Sequence, residues 1–259
     1  MYPDSLARPL YLQNSSAQRL DMSASARLRI ERKAQSEIYI PLHHVSRIVC
    51  SSTLEIGSRV WVACMQNGIP IAVLDTKGRT LGWCMGSRRK ESSLRQMLMH
   101  ALDDPCWDEL YKQWYAQQET AIAVQNLIMC GVPATAAARN QSRAALCNAH
   151  YLKHGFSCAP WLDQIAELAK LELASALHRE VGAPELLAWY RAGLNLYEEL
   201  GSLVGMHAHT DIHHATMHRV TENAGNWSIR QYERCMPLWQ DRIAHILVSF
   251  EQFLRAHWQ

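Results

Sequence analysis

The stretch "GRTLGWCMGSRRKESSLRQMLMHAL", residues 78–102, is where the periodicity of this chain changes. Its first part, 78–86, reads as a strand. Its last part carries Leu94, Met97, Leu98 and Ala101 at steps of three and four, the repeat of a helix with one buried face. Between them lies the short basic connection "GSRRKESS", residues 86–93.

Upstream of that connection the signals are those of β-structure. "ARLRIER" (26–32) alternates, with Leu28 and Ile30 on one face and arginines on the other. "EIYIPL" (37–42), "VSRIVC" (45–50) and "IPIAVLD" (69–75) are short apolar runs rich in β-branched residues. One helix interrupts them: "SRVWVACMQNG" (58–68) has Val60, Ala63 and Cys64 at helical spacing and ends in Asn-Gly, a helix stop. Downstream, the apolar repeat in "WDELYKQWYAQQETAIAVQNLIM", "PWLDQIAELAKLELASALHREVG", "PELLAWYRAGLNLYEELGSLV" and "IRQYERCMPLWQDRIAHILVSFEQFLRAHW" is helical throughout. Gly131-Val132-Pro133, Gly182-Ala183-Pro184 and Asn223-Ala224-Gly225 punctuate it. The expected fold class is α+β, with a small N-terminal β domain over residues 1–86 followed by a larger all-helical domain over 87–259.

Composition sets outer limits. The 259 residues are 48% hydrophobic, enough for a sizeable core, and the net charge of +2 leaves no global field to attract nucleic acid. A basic surface would have to be local. The eight cysteines include no C-x-x-C pair, and several sit in apolar runs such as "WVACM", so they read as buried free thiols rather than a zinc ribbon or a redox motif. "MYPDSLARPLYLQ" lacks an apolar signal core, and no run approaches the roughly 18 apolar residues of a membrane span. A cytoplasmic protein without membrane contact is expected.

A β domain placed before a helical one is an uncommon order, and four segments make it more specific. In residues 40–82, Ile40-Pro41, Ile48-Val49, Gly57-Ser58, Gly68-Ile69 and Asp75 with Gly78 and Gly82 follow one another in sequence. "SLRQMLMHALDDP" (93–105), "AKLELASALHREVGAP" (169–184) and "LNLYEELGSLV" (194–204) complete the set. In this order they resemble the CRISPR-associated integrases of the spacer-acquisition machinery, the Cas1 family. The resemblance implies a β domain that forms a homodimer and binding of duplex prespacer DNA. It also implies a helical domain that houses the catalytic cleft, and a small ferredoxin-like partner subunit.

In that family a Glu, a His and an Asp hold a divalent metal for phosphodiester cleavage and strand transfer, and hard oxygen ligands suit Mg²⁺ or Mn²⁺. Carried over residue by residue, the family Asp falls on Asn195, which brings no charge, while the Glu three residues later is kept as Glu198. The interval Gly182–Asn195, where the His should lie, has none, and residues 131–158, the candidate region for the Glu, contain no acidic residue. The resemblance therefore implies a divergent member with a degenerate site. No cofactor is favoured, and Mg or Mn is required only if a rearranged site is active. Three readings stay open: a non-catalytic DNA-binding homologue working beside a catalytically intact paralogue; an active integrase or endonuclease with relocated ligands; and a protein-interaction scaffold.

The window "GMHAHTDIHHATMH" (205–218) packs five histidines and one aspartate into fourteen residues of a chain with 13 His. On a helix His207, Asp211, His214 and His218 share one face, and His209 and His213 another. Glu198, His207 and Asp211 are the candidates for a relocated metal site, and imidazole-rich coordination would favour Zn²⁺, Ni²⁺ or Mn²⁺. A half-exposed, metal-free helix is the alternative. For DNA contact the densest basic cluster is Arg88, Arg89 and Lys90 with Arg79 and Arg95. A solvated turn is the alternative there.

Overall fold

The computed structural model describes residues 7–12, 17–23, 25–86, 92–182, 195–215 and 224–258. The chain divides into two compact units, Met1–Arg89 and Lys90–Gln259.

In the first unit, β1 (Arg8–Leu12), β5 (Val45–Ser51), β7 (Ile71–Leu74) and β8 (Thr80–Cys84) form one sheet in the order β1-β5-β7-β8. β1 and β7 run parallel to β5, and β8 is antiparallel to β7. The second sheet is β4 (Ile38–Pro41), β3 (Arg27–Arg32), β2 (Ala17–Met22) and β6 (Glu55–Ile56), in that order. Both sheets and helix α1 (Ser58–Asn67) contribute to one core that includes Leu20, Leu28, Ile48, Val60 and Ile71. Leu28 and Ile30 point into it, as the alternation of 26–32 requires. β3 is an interior strand, paired with β4 on one side and β2 on the other. Its Arg29 sits among Asp21, Glu31 and Glu37, at 3.8, 2.9 and 3.9 Å. α1 ends where Asn-Gly predicts, with Gly68 in the left-handed conformation at φ 62°.

The second unit is helical: α2 (Ser93–Asp103), α3 (Trp107–Met129), α4 (Ala136–Asn140), α5 (Ser142–His154), α6 (Ala159–Val181), α7 (Leu196–Gly205), α8 (Ala208–His214), α9 (Ala224–Arg234) and α10 (Met236–Trp258). α6 lies at the centre of the unit, with Ile165, Ala169, Leu171, Leu173 and Leu177 fully buried. α7 packs on it closely because Gly201 and Gly205 present no side chain. A Cβ on Gly201 would come within 2.8 Å of the Lys170 side chain, and one on Gly205 within 3.1 Å of Ala166.

The final apolar repeat, continuous in sequence, is two helices. Pro237 lacks the N–H that would extend the first one, and its ring would meet the carbonyl four residues back, so the chain breaks at Cys235. The far end of α10 is fixed by the Trp258 indole, which donates to Asp104 at 2.7 Å. Trp107, Tyr111, Trp114, Phe250 and Phe253 form an aromatic cluster between α3 and α10, with ring centroids 5.1–6.4 Å apart. Among the described residues no helix is long and apolar enough to cross a membrane.

Candidate functional site

The segment that should carry the family's metal ligand begins at Asn195. Its side chain accepts a hydrogen bond from the Glu198 backbone N–H at 3.3 Å, closing the N-terminus of α7. This is the role in which Asn and Asp are interchangeable, because either offers an oxygen to the orphan donors of the first turn. Glu198 points to Lys170 of α6, 3.2 Å away, and Lys170 is also 3.0 Å from Glu167. Burial opposes the charge on Lys170, but the two carboxylates outweigh it and hold the ammonium above its ordinary range. Glu199, the neighbouring acid, is pushed up by burial against Tyr111 and the α3 surface.

The histidine window lies at the opposite end of α7. The chain turns at Met206 and His207 before the short helix α8. Asn126 of α3 fixes this turn: fully buried, it donates to the Met206 carbonyl at 2.8 Å and accepts from Thr210 at 2.9 Å. The two faces read from sequence then go to different neighbours. His207, Asp211 and His214 line a cavity closed by α3, α9 and α10. His209 and His213 turn toward α5. His218 lies outside the described residues.

On the α5 side, His209 Nδ1 is 3.0 Å from His150 Nε2, with the rings stacked at a 5.3 Å centroid separation. His154 donates to the Ile212 carbonyl at 3.1 Å, and Lys153 to that of His213, so two cationic residue types meet the C-terminal carbonyls of α8. Burial, reinforced by the neighbouring histidines, lowers His150 to about 3. Burial lowers His209 to about 4.

On the cavity side, Asp211 and Arg242 form an ion pair at 2.9 Å, both side chains nearly inaccessible, and the guanidinium stacks 4.7 Å over Trp239. Burial raises the Asp211 carboxyl while Arg242 counteracts it. Burial, and then the nearby Arg242 charge, lowers His207 to about 4.

The three candidate metal ligands are thus not assembled. His207 and Asp211 share a cavity wall, but Glu198 lies nine residues before His207, at the other end of α7 and about 13 Å away along a helix axis. A metal bound by oxygen or imidazole needs its ligands within roughly 2–2.5 Å. Among the described residues no group of three or more His, Cys, Asp or Glu side chains is placed to hold an ion. Among the described residues the candidates do not fit the family's metal: Asn195 caps a helix, Glu198 answers a lysine and Asp211 answers an arginine.

Of the basic candidates, Arg88, Arg89 and Lys90 lie outside the described residues. Arg79 follows the turn between β7 and β8, where it donates to Asp75 through Nε and Nη2, both at 2.8 Å. Arg95 sits in the first turn of α2, its backbone N–H bonded to Ser92. Sequence reasoning missed His150, Arg242 and Asn126. They are distant in sequence from the window they contact, and no local pattern pairs them with it.

The sequence profile of the family described as CRISPR associated protein Cas1 matches residues 11–116. No curated protein matches the chain. Among solved structures, a Cas1 protein from Thermotoga maritima superposes with a TM-score of 0.76 at 13% identity, over 95% of this chain and 96% of that one. TtCas1 in its complex with DNA gives 0.57 at 12% identity, over 93% and 91%. The Cas6-RT-Cas1–Cas2 complex gives 0.60 at 10% identity, over 99% of this chain and 36% of that one. The chain is thus similar to the Cas1 family in sequence over residues 11–116, and it shares the fold of solved Cas1 proteins across nearly its whole length.

Proposed function

We propose that this protein is a DNA-binding member of the CRISPR adaptation machinery that holds duplex DNA without the family's metal-dependent strand transfer. The observation that carries the reading is the occupation of the α7 N-terminus. The Asp position is an Asn that serves as a helix cap, and the retained Glu198 is held by Lys170. A metal-supported phosphoryl transfer needs anionic oxygen ligands converging on one ion, and this end of α7 supplies none free of other duties.

Duplex binding is supported by the similarity to a Cas1 protein solved with DNA, and by the basic stretch Arg88-Arg89-Lys90 in the connection that follows β8. The β unit is proposed as the homodimer contact. A small adaptation subunit is proposed as partner, by analogy with the complex that contains Cas2. The experiment is duplex binding by mobility shift across a salt series, beside a strand-transfer assay with Mg²⁺ or Mn²⁺. Binding that weakens steeply with salt, with no metal-dependent product, is expected. Absence of duplex binding at low salt, or strand transfer abolished by Glu198→Ala, overturns the reading.

A further inference from the structure

The cavity beside α8 has a volume of about 480 Å³ and lies between α3, α8, α9 and α10. This is the size and setting of a small-molecule site. Its floor is the Asp211–Arg242 pair, with Arg242 backed by Trp239. A buried ion pair adds little to stability compared with apolar side chains of the same volume, so the fold alone gives no reason for one at the base of a cavity. Arg234 stands exposed at the rim, and Gln125 and Gln231 add two amides. Met129 and Leu238 give the apolar part of the wall and are about half exposed, at 49% and 47%.

The charges do not cancel. Two guanidiniums face one carboxylate, and His207 is kept neutral by its burial. A cationic cavity with an extended apolar wall suits a ligand that has both an anion and a flat apolar body. Side-chain amides carry a donor and an acceptor together, the pattern that nucleobase edges present.

We propose that this cavity binds a single nucleotide, its base against Met129 and Leu238 and its phosphate toward Arg234. The choice of a nucleotide rests on the DNA-handling reading above. The cavity itself is separate from the Asn195 end of α7. The nucleotide could be free or the 5′-phosphorylated end of a DNA strand, and the two sources share the same chemistry.

The test is calorimetric titration of the full-length protein with dAMP, deoxyadenosine and inorganic phosphate. Saturable dAMP binding is expected, with deoxyadenosine and phosphate each at least ~10-fold weaker, the loss of a charge-assisted contact or of the apolar body. Arg234→Gln should weaken dAMP by ~10-fold and leave deoxyadenosine unchanged, and Leu238→Glu should abolish binding of both. Both residues are exposed, so unchanged thermal melting of the variants serves as the folding control. A 5′-phosphorylated oligonucleotide that binds as tightly as dAMP and is equally weakened by Arg234→Gln assigns the site to strand ends. Binding of dAMP alone assigns it to the free nucleotide. No saturable dAMP binding, equal binding of phosphate, or indifference to both substitutions overturns the inference. Duplex binding on the same preparation separates this failure from failure of the DNA-handling reading.

Discussion

His150 Nε2 of α5 and His209 Nδ1 of α8 lie 3.0 Å apart with their rings nearly parallel, so one of the two nitrogens carries the shared proton, and burial favours the neutral form of both rings. His154, Lys153 and His213 surround the pair, and a second positive charge there would be repelled from three sides. The folded-state values of His150, His207 and His209, about 3, 4 and 4, all lie below that of an unfolded imidazole. The unfolded chain therefore takes up protons first as pH falls. These three histidines should give full stability above pH ~6.5 and a decline below it that runs to ~4 for His207 and His209 and to ~3 for His150, each contributing up to about 1.4 kcal/mol per pH unit within its window. Urea midpoints measured across this range check it. His209→Gln should flatten the slope.

The Asp211–Arg242 pair should behave as a buried couple. Asp211→Asn or Arg242→Met alone leaves one polar group without its partner and should cost about 3–5 kcal/mol. The double variant should cost less than the sum of the two. A double-mutant cycle by chemical denaturation measures the difference.

The seam between α6 and α7 tolerates no added volume. Gly205→Val would drive side-chain atoms into Ala166, where even a Cβ would stand 3.1 Å away, and should destabilise by about 1–3 kcal/mol. At Gly82 of β8 nothing lies within 4 Å of an added Cβ. Gly82→Ala should therefore stay within about 0.5 kcal/mol of the parent. Thermal melts of the two variants side by side check the contrast.

At Asn195 the prediction separates structure from chemistry. Asn195→Ala removes the cap and should cost about 1 kcal/mol, whereas Asn195→Asp keeps it and leaves the melting temperature unchanged. Strand transfer with Mg²⁺ should remain absent in Asn195→Asp, because one carboxylate does not make a site. Activity regained on that single change would contradict the proposed function.

The change of period at residues 78–102 located the passage from β to α because both patterns are local. The bounds of α3 and the stop of α1 at Gly68 were legible for the same reason. β1 and β2 were not, since their pairings with β5 and β6 are parallel and reach across the unit. The alternation of β3 was legible, but its two neighbours and the carboxylates around Arg29 exist only in three dimensions. In the histidine window, helical spacing separated His207, Asp211 and His214 from His209 and His213. What each face meets depends on His150 and Arg242, and these turn an apparent metal motif into a stacked imidazole pair on one side and an ion-pair floor on the other.

The cap at Asn195 also bears on what folding can select at this position. Asparagine and aspartate codons differ by one base, and the helix accepts either residue without loss of stability. Folding therefore exerts no purifying pressure on the charge at this position. A change between the two residues here, in either direction, is therefore silent to the fold.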